Sequence, residues 1–308
     1  MSRIWAIAIN TFREAVRDRV LYAVLGFATA ILLFTLAIAE LSLDQQERVV
    51  RDLGLASISL FSVVVAIFLG SSLLYKEIER KTLYVILPKP IRRHEFLLGK
   101  YGGITLTATV FIALMGAIQL WIAAIQAGAS GALLVAEPLA LGAGLALALW
   151  KARDRTSVLV PFSLVALGAS AAVAQSAGVP LAPTLAALLL DVGEVLVVAA
   201  IAMFFSSFST PFLTGVLTVG VWLVGRSADE MATMRSRVLP EAVRELLHGL
   251  AWVVPNLNLF VPPSRALTET VEGASPAEYV ANAMGYGVLY AAILLVLACV
   301  VFRRRDFL

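Results

Sequence analysis

Residues 53–75, 101–127 and 281–302 each run the length of a membrane without one charged side chain. A helix needs about 20 apolar residues to cross the hydrocarbon of a bilayer, where helices and closed barrels alone satisfy every backbone N–H and C=O. Two more blocks, 20–41 and 184–208, are as long; the first ends on Glu40 and the second holds Asp191 and Glu194. A sixth, 211–226, is shorter, with Pro211 suited to a first helical turn and Arg226 expected to snorkel outward. The apolar residues come in continuous blocks, not in short alternating runs. The expected fold is therefore all-α: a polytopic transmembrane helix bundle with amphipathic interfacial helices, forming a single domain over 1–308. Charged residues make up 15% of the chain, whereas soluble domains carry roughly a quarter, which excludes a soluble enzyme.

Residues 133–150 and 157–179 are also apolar, rich in Ala and Gly, and flank the charged patch Lys151, Arg153, Asp154 and Arg155. They form an extra hydrophobic hairpin that brings the crossings to eight, or that enters and leaves without fully spanning, since Glu137 and Pro138 interrupt it. Either count leaves the orientation unchanged. All five lysines (Lys76, Lys81, Lys89, Lys100 and Lys151) fall in loops on one side, where Arg303, Arg304 and Arg305 also lie. Cytoplasmic loops are enriched in Lys and Arg, so that side is expected to be the cytoplasm, with both termini there and the chain in a bacterial inner membrane. The charged residues before the first span and the length of that span mark it as retained, not a cleaved signal.

Chemistry-bearing motifs are scarce. There is no G-x-x-x-x-G-K-[ST] phosphate loop, and Gly99-Lys100 lacks both the upstream glycine and the following hydroxyl. ATP binding in this chain is not expected. Two histidines, His94 and His248, form no H-E-x-x-H pair, and a lone Cys299 inside the last apolar block offers neither a disulfide nor a cysteine-rich metal site. A formal charge of +3 with no basic tract interleaved with aromatics points away from nucleic acid.

Three polar segments carry more information. In 1–19, Trp5, Ala8, Ile9, Phe12, Ala15 and Val16 share one helical face, so this segment is expected to lie flat on the inner leaflet. Residues 227–280 fall outside, with Val243, Leu246, Leu247, Leu250 and Val254 at helical spacing up to Pro255; Ser275, Pro276 and Glu278 read as N-cap, first turn and capping-box acid of the last span. The loop 76–100 reads KEIERKTLYVILPKPIRRHEFLLGK. Glu77, Glu79 and Arg80 can pair along a short helix, while Leu83, Ile86 and Leu87 give it an apolar face before Pro88 and Pro90 end it. Such a face either lies on the membrane surface or docks a soluble partner.

In this loop the chain resembles the membrane subunits of type 2 ABC transporters, in particular the permeases of the nitrous oxide reductase maturation and gliding group. The residues that carry the resemblance are Glu77, Glu79, Thr82, Leu83, Leu87, Pro90, Arg93, Phe96, Leu97, Gly99 and Lys100, with Arg80 beside them. It extends to the amphipathic N-terminus, the first three spans, the turn at 206–211 and the run 255–260; 133–179 departs from the six-span pattern. The resemblance implies that the loop is a coupling helix seated in a groove of a separate ATPase subunit, which binds the ATP. It further implies a homodimer, or a heterodimer with a related permease, working mostly as an exporter and in contact with membrane lipid.

Asp191 and Glu194 lie three residues apart, on one face of a span. A charged acid at mid-membrane costs about 2.5–3.5 kcal/mol on insertion scales. The two are either satisfied by neighbouring hydroxyls or an arginine, or line a substrate route. A proton-driven secondary transporter using these acids, and a membrane scaffold for a soluble complex, are the alternatives to an ATP-coupled permease.

Overall fold

The computed structural model describes residues 3–41, 46–79, 92–152, 154–233, 245, 249, 254–261, 267 and 275–304, with the side chains of 73–79 and 304 left aside. Among the described residues there are ten α-helices and no strand. Seven of the helices are long and apolar enough to cross a membrane. In chain order they are α1 (Arg3–Val16), α2 (Arg19–Glu40), α3 (Gln46–Glu79), α4 (Arg93–Gln126), α5 (Gly131–Lys151), α6 (Leu159–Ser176), α7 (Leu181–Ser206), α8 (Pro211–Arg226), α9 (Ala228–Thr233) and α10 (Pro276–Arg304), with a 3-10 turn at Asn258–Phe260.

Local chemistry sets the breaks. Asp18 separates the amphipathic α1 from the first span, its Oδ1 accepting from the Val20 N–H at 3.0 Å. At the start of α4 the Glu95 carboxylate accepts the Arg92 backbone N–H at 2.9 Å. The capping box expected at α10 is formed: Ser275 N–H donates to Glu278 at 2.8 Å and Glu278 N–H to Ser275 Oγ at 3.3 Å. Gly128 and Gly178, at φ of 72° and 84°, close the turns after α4 and α6, as glycine alone does without strain.

Helices α4 and α7 form the centre. In α7, 72% of the apolar window is buried, against 6% in α5, which lies on the outside. Helix α4 packs on α1, α6, α3 and α7, and α7 packs on α10, α3 and α4. The hairpin foreseen at 133–179 forms as α5 and α6. Pro138 has no N–H for the Leu134 carbonyl, and the indole Nε1–H of Trp121 on α4 donates to that carbonyl instead at 3.2 Å. Ser170 on α6 donates to the buried Glu137 carboxylate at 2.5 Å, pinning the two helices together.

Helix α8, with 16 residues, is only about 24 Å long at 1.5 Å per residue. It runs back along α7 from the turn at 207–210, so Arg226 ends level with the middle of α7. The chain then folds into the bundle: the Leu257 N–H donates to the Gly225 carbonyl at 3.0 Å, and Leu257 and Phe260 are buried. The Tyr286 and Tyr279 hydroxyls of α10 hold this return, the first accepting from the Asn256 N–H and the second donating to the Leu259 carbonyl. Where 254–261 is described it is therefore part of the core; the amphipathic piece foreseen at 243–254 lies outside the described residues apart from Val254 and isolated helical positions.

Candidate functional site

Two regions at opposite ends of the bundle concentrate the polar side chains. At the end where α3 finishes and α4 begins, Arg93, Phe96, Gly99 and Lys100 occupy the first turns of one unbroken helix. Arg93 Nη1 donates to the Phe302 carbonyl at 3.3 Å and to the Arg303 carbonyl at 3.0 Å, a guanidinium on the negative end of α10. Phe96 is buried and stacks on Phe302, with ring centroids 6.5 Å apart. A Cβ on Gly99 would stand 2.5 Å from Ile7 Cβ, and one on Gly103 would stand 2.4 Å from Thr11 Cβ, so these two glycines, one turn apart, are what lets α1 lie against α4. Lys100 is 1% exposed and ion-pairs with Glu14 of α1 at 3.3 Å. The amphipathic N-terminal helix thus rests on α4 through Phe12, Ala15 and Val16 instead of lying only on lipid.

Arg13 of the same helix forms an ion pair with Asp154 in the turn between α5 and α6. Hydrogen bonds from Ser157 and Thr156, with the Arg13 guanidinium beside them, lower the Asp154 carboxyl to about 2. Of the loop itself, Arg80, Thr82, Leu83, Leu87 and Pro90 lie outside the described residues, and Glu77 and Glu79 are placed by their backbone in the last turns of α3.

The other region is a cavity of about 460 Å³ between α3, α7 and α8, near the end where α3 and α7 begin. Its walls include Ser59, Asp191, Trp222 and Arg226, with Arg48, Arg51 and Asp52 also lining it. Arg48 and Arg51 both turn to Asp52, each at 3.4 Å. Behind this wall Glu194 is fully buried and holds three side chains through four hydrogen bonds. Arg226 engages it bidentately, Nε to Oε1 at 2.9 Å and Nη2 to Oε2 at 3.0 Å; Ser59 Oγ donates to Oε2 at 2.9 Å and Trp222 Nε1 to Oε1 at 2.9 Å. Arg226 also donates to Ser59 Oγ at 2.6 Å and lies 5.4 Å from the Trp222 ring centroid.

Arg226 therefore does not snorkel outward. Its side chain is only 24% exposed, and the bidentate carboxylate on α7 compensates the guanidinium. The two acids on one face of α7 have different fates. Glu194 is consumed by structure, whereas Asp191, 4% exposed, lines the cavity with its Oδ2 lacking any hydrogen-bond partner. Sequence reading missed Ser59, Trp222, Glu14 and Arg13; only the intramembrane acids signalled that partners must exist.

The arrangement offers a cavity at one end and a braced helical platform at the other. Among the described residues no cluster of His, Cys, Asp and Glu is fit to hold a metal ion. No curated protein matches the sequence. The pattern defining the family described as "ABC-2 family transporter protein" matches residues 5–307, almost the whole chain. The chain belongs to that family, and is a multi-pass membrane permease of the ABC transporter class.

Proposed function

We propose that this permease is an exporter of the cytoplasmic membrane that works as a dimer and is driven by a separate ATPase docked on the loop 76–100. The start of α1, the end of α10 and the α5–α6 turn with Lys151 face the ATP side, and the cavity faces the opposite side. The observation that carries the reading is the continuity of α3. Its 34 residues run about 51 Å from Arg48 and Arg51 at the cavity, past Ser59, to Glu77 and Glu79 beside the loop. A displacement of the loop by a hydrolysing partner is transmitted as a displacement of Ser59, which Arg226 and Glu194 hold at 2.6 and 2.9 Å. The Glu194–Arg226 cluster then acts as the gate beneath the vestibule, and Asp191 faces the substrate route.

Within the coupling set, Glu77, Glu79, Arg80, Thr82, Leu83, Leu87 and Pro90 supply the docking surface. Arg93, Phe96, Gly99 and Lys100 act from behind it by fixing α4 to α1 and α10. The test is purification of the tagged chain with its ATPase, followed by ATP-dependent flux in vesicles. Glu79→Lys with Arg80→Glu is expected to release the ATPase and abolish flux while the permease stays inserted. Retention of a stable complex by that double variant overturns the docking assignment. Flux that persists without ATPase, and follows a proton gradient, supports the secondary-transporter alternative instead.

A further inference from the structure

At the end of the bundle away from the Asp191 cavity, a groove of about 480 Å³ opens between the start of α4 and the last turns of α10. We propose that it holds one anionic phospholipid, with the headgroup phosphate at the groove's basic end and an acyl chain along its apolar wall. Leu98 of α4 and Leu295, Val296, Cys299 and Val300 of α10 form that wall. From Ala292 to Arg303 the lining covers eleven positions of α10, about 16 Å of helix axis. That is about half of a hydrocarbon core roughly 30 Å thick, the depth of one leaflet.

Charge selects the sign of the headgroup. Arg93, His94 and Arg303 line one end of the groove, and no acid is among the described residues of its lining. Glu95, on the same turn of α4, is committed to the Arg92 N–H at 2.9 Å and to Arg3 of α1 at 3.8 Å. The Phe302 and Arg303 carbonyls, 3.3 and 3.0 Å from Nη1 of Arg93, fix that guanidinium in place, and His94 donates a ring N–H in either tautomer. A phosphodiester anion meets these donors, whereas a zwitterionic headgroup also brings an ammonium against two guanidiniums. The wall selects a lipid over a soluble anion. Val296 and Val300 are 63% and 47% exposed on a helix long and apolar enough to cross the membrane, so hydrocarbon is what covers them. Basic pockets between spans hold anionic headgroups by this same combination.

The test is native mass spectrometry of the full chain in detergent, titrated with dioleoyl phosphatidylglycerol or dioleoyl phosphatidylcholine, and it needs neither ATPase nor flux. One phosphatidylglycerol per chain is expected to bind at least tenfold more tightly than phosphatidylcholine. Glycerophosphoglycerol, the same headgroup without its chains, is expected not to compete. His94→Gln with Arg303→Gln is expected to weaken phosphatidylglycerol binding about tenfold and to leave phosphatidylcholine binding unaltered. Val296→Trp, which fills the groove and keeps every charge, is expected to abolish the tight site. Equal binding of the two lipids by the unaltered chain overturns the proposal whether or not a variant folds, as does undiminished phosphatidylglycerol binding in either folded variant. Competition by glycerophosphoglycerol assigns the groove to a soluble anion, and a lipid-free dimer lost in Val296→Trp assigns it to a second copy of the chain; each overturns the lipid.

Discussion

Glu194 accepts from an arginine, a serine and a tryptophan while having no exposed surface. Removing one partner of such a pair strands the other charge, which costs about 3–5 kcal/mol. Glu194→Ala is accordingly expected to lower the thermal midpoint of the detergent-solubilised chain sharply, and the double variant Glu194→Leu with Arg226→Met to recover most of the loss. A double variant no more stable than Glu194→Ala would show that the pair's value lies elsewhere than in mutual compensation. Asp154 makes a pH-dependent prediction. Its carboxyl lies at about 2 in the folded chain against an ordinary 3.8, so its contribution is complete above 3.8 and is lost as pH falls from there toward 2. The protection factors of the amides in the 154–158 turn, which divide out the intrinsic pH dependence of exchange, are expected to be flat from neutrality to about pH 4 and to fall below it. Asp154→Asn removes that pH dependence.

At the scale of the element, α1 is the helix whose placement hydropathy describes least. Its amphipathic face suits a bilayer surface, yet it is spent on α4, where Gly99 and Gly103 leave room for Ile7 and Thr11. Gly103→Leu puts side-chain atoms where Thr11 stands, an overpacking of about 1–3 kcal/mol. The expected outcome is detachment of α1, seen as protease cleavage within 3–16 and a red shift of Trp5 emission, with the spans intact. Helix α5 responds in the opposite way. Its outer face touches no other described helix, so exchange of Leu139, 67% exposed, for Ile is expected to leave stability unchanged. Trp121→Phe, which orphans the Leu134 carbonyl above Pro138, is expected to destabilise the hairpin by about 1–3 kcal/mol.

For the whole molecule, the start of α1 and the end of α10 both lie beside the start of α4, where Arg3 pairs with Glu95 and Arg93 donates to the Phe302 and Arg303 carbonyls. In a Cys299→Ala background, Lys151→Cys is expected to react with an impermeant maleimide only from the cytoplasm, and Ser130→Cys only from outside. Labelling of position 151 in intact cells overturns the orientation and with it the ATPase docking. The spans, the all-α class and the α10 cap were legible in the residues alone, because transfer into lipid and capping depend on a few neighbouring positions. The partners of Arg226, the burial of Lys100 and the division between a fully hydrogen-bonded Glu194 and a buried Asp191 whose Oδ2 makes no hydrogen bond were not. Ser59 lies 135 positions from Glu194 and 167 from Arg226, so their meeting depends on how α3, α7 and α8 are rotated about their axes. Mean hydropathy is blind to that rotation; packing chooses it, by bringing the guanidinium at the end of α8 against a buried carboxylate on α7.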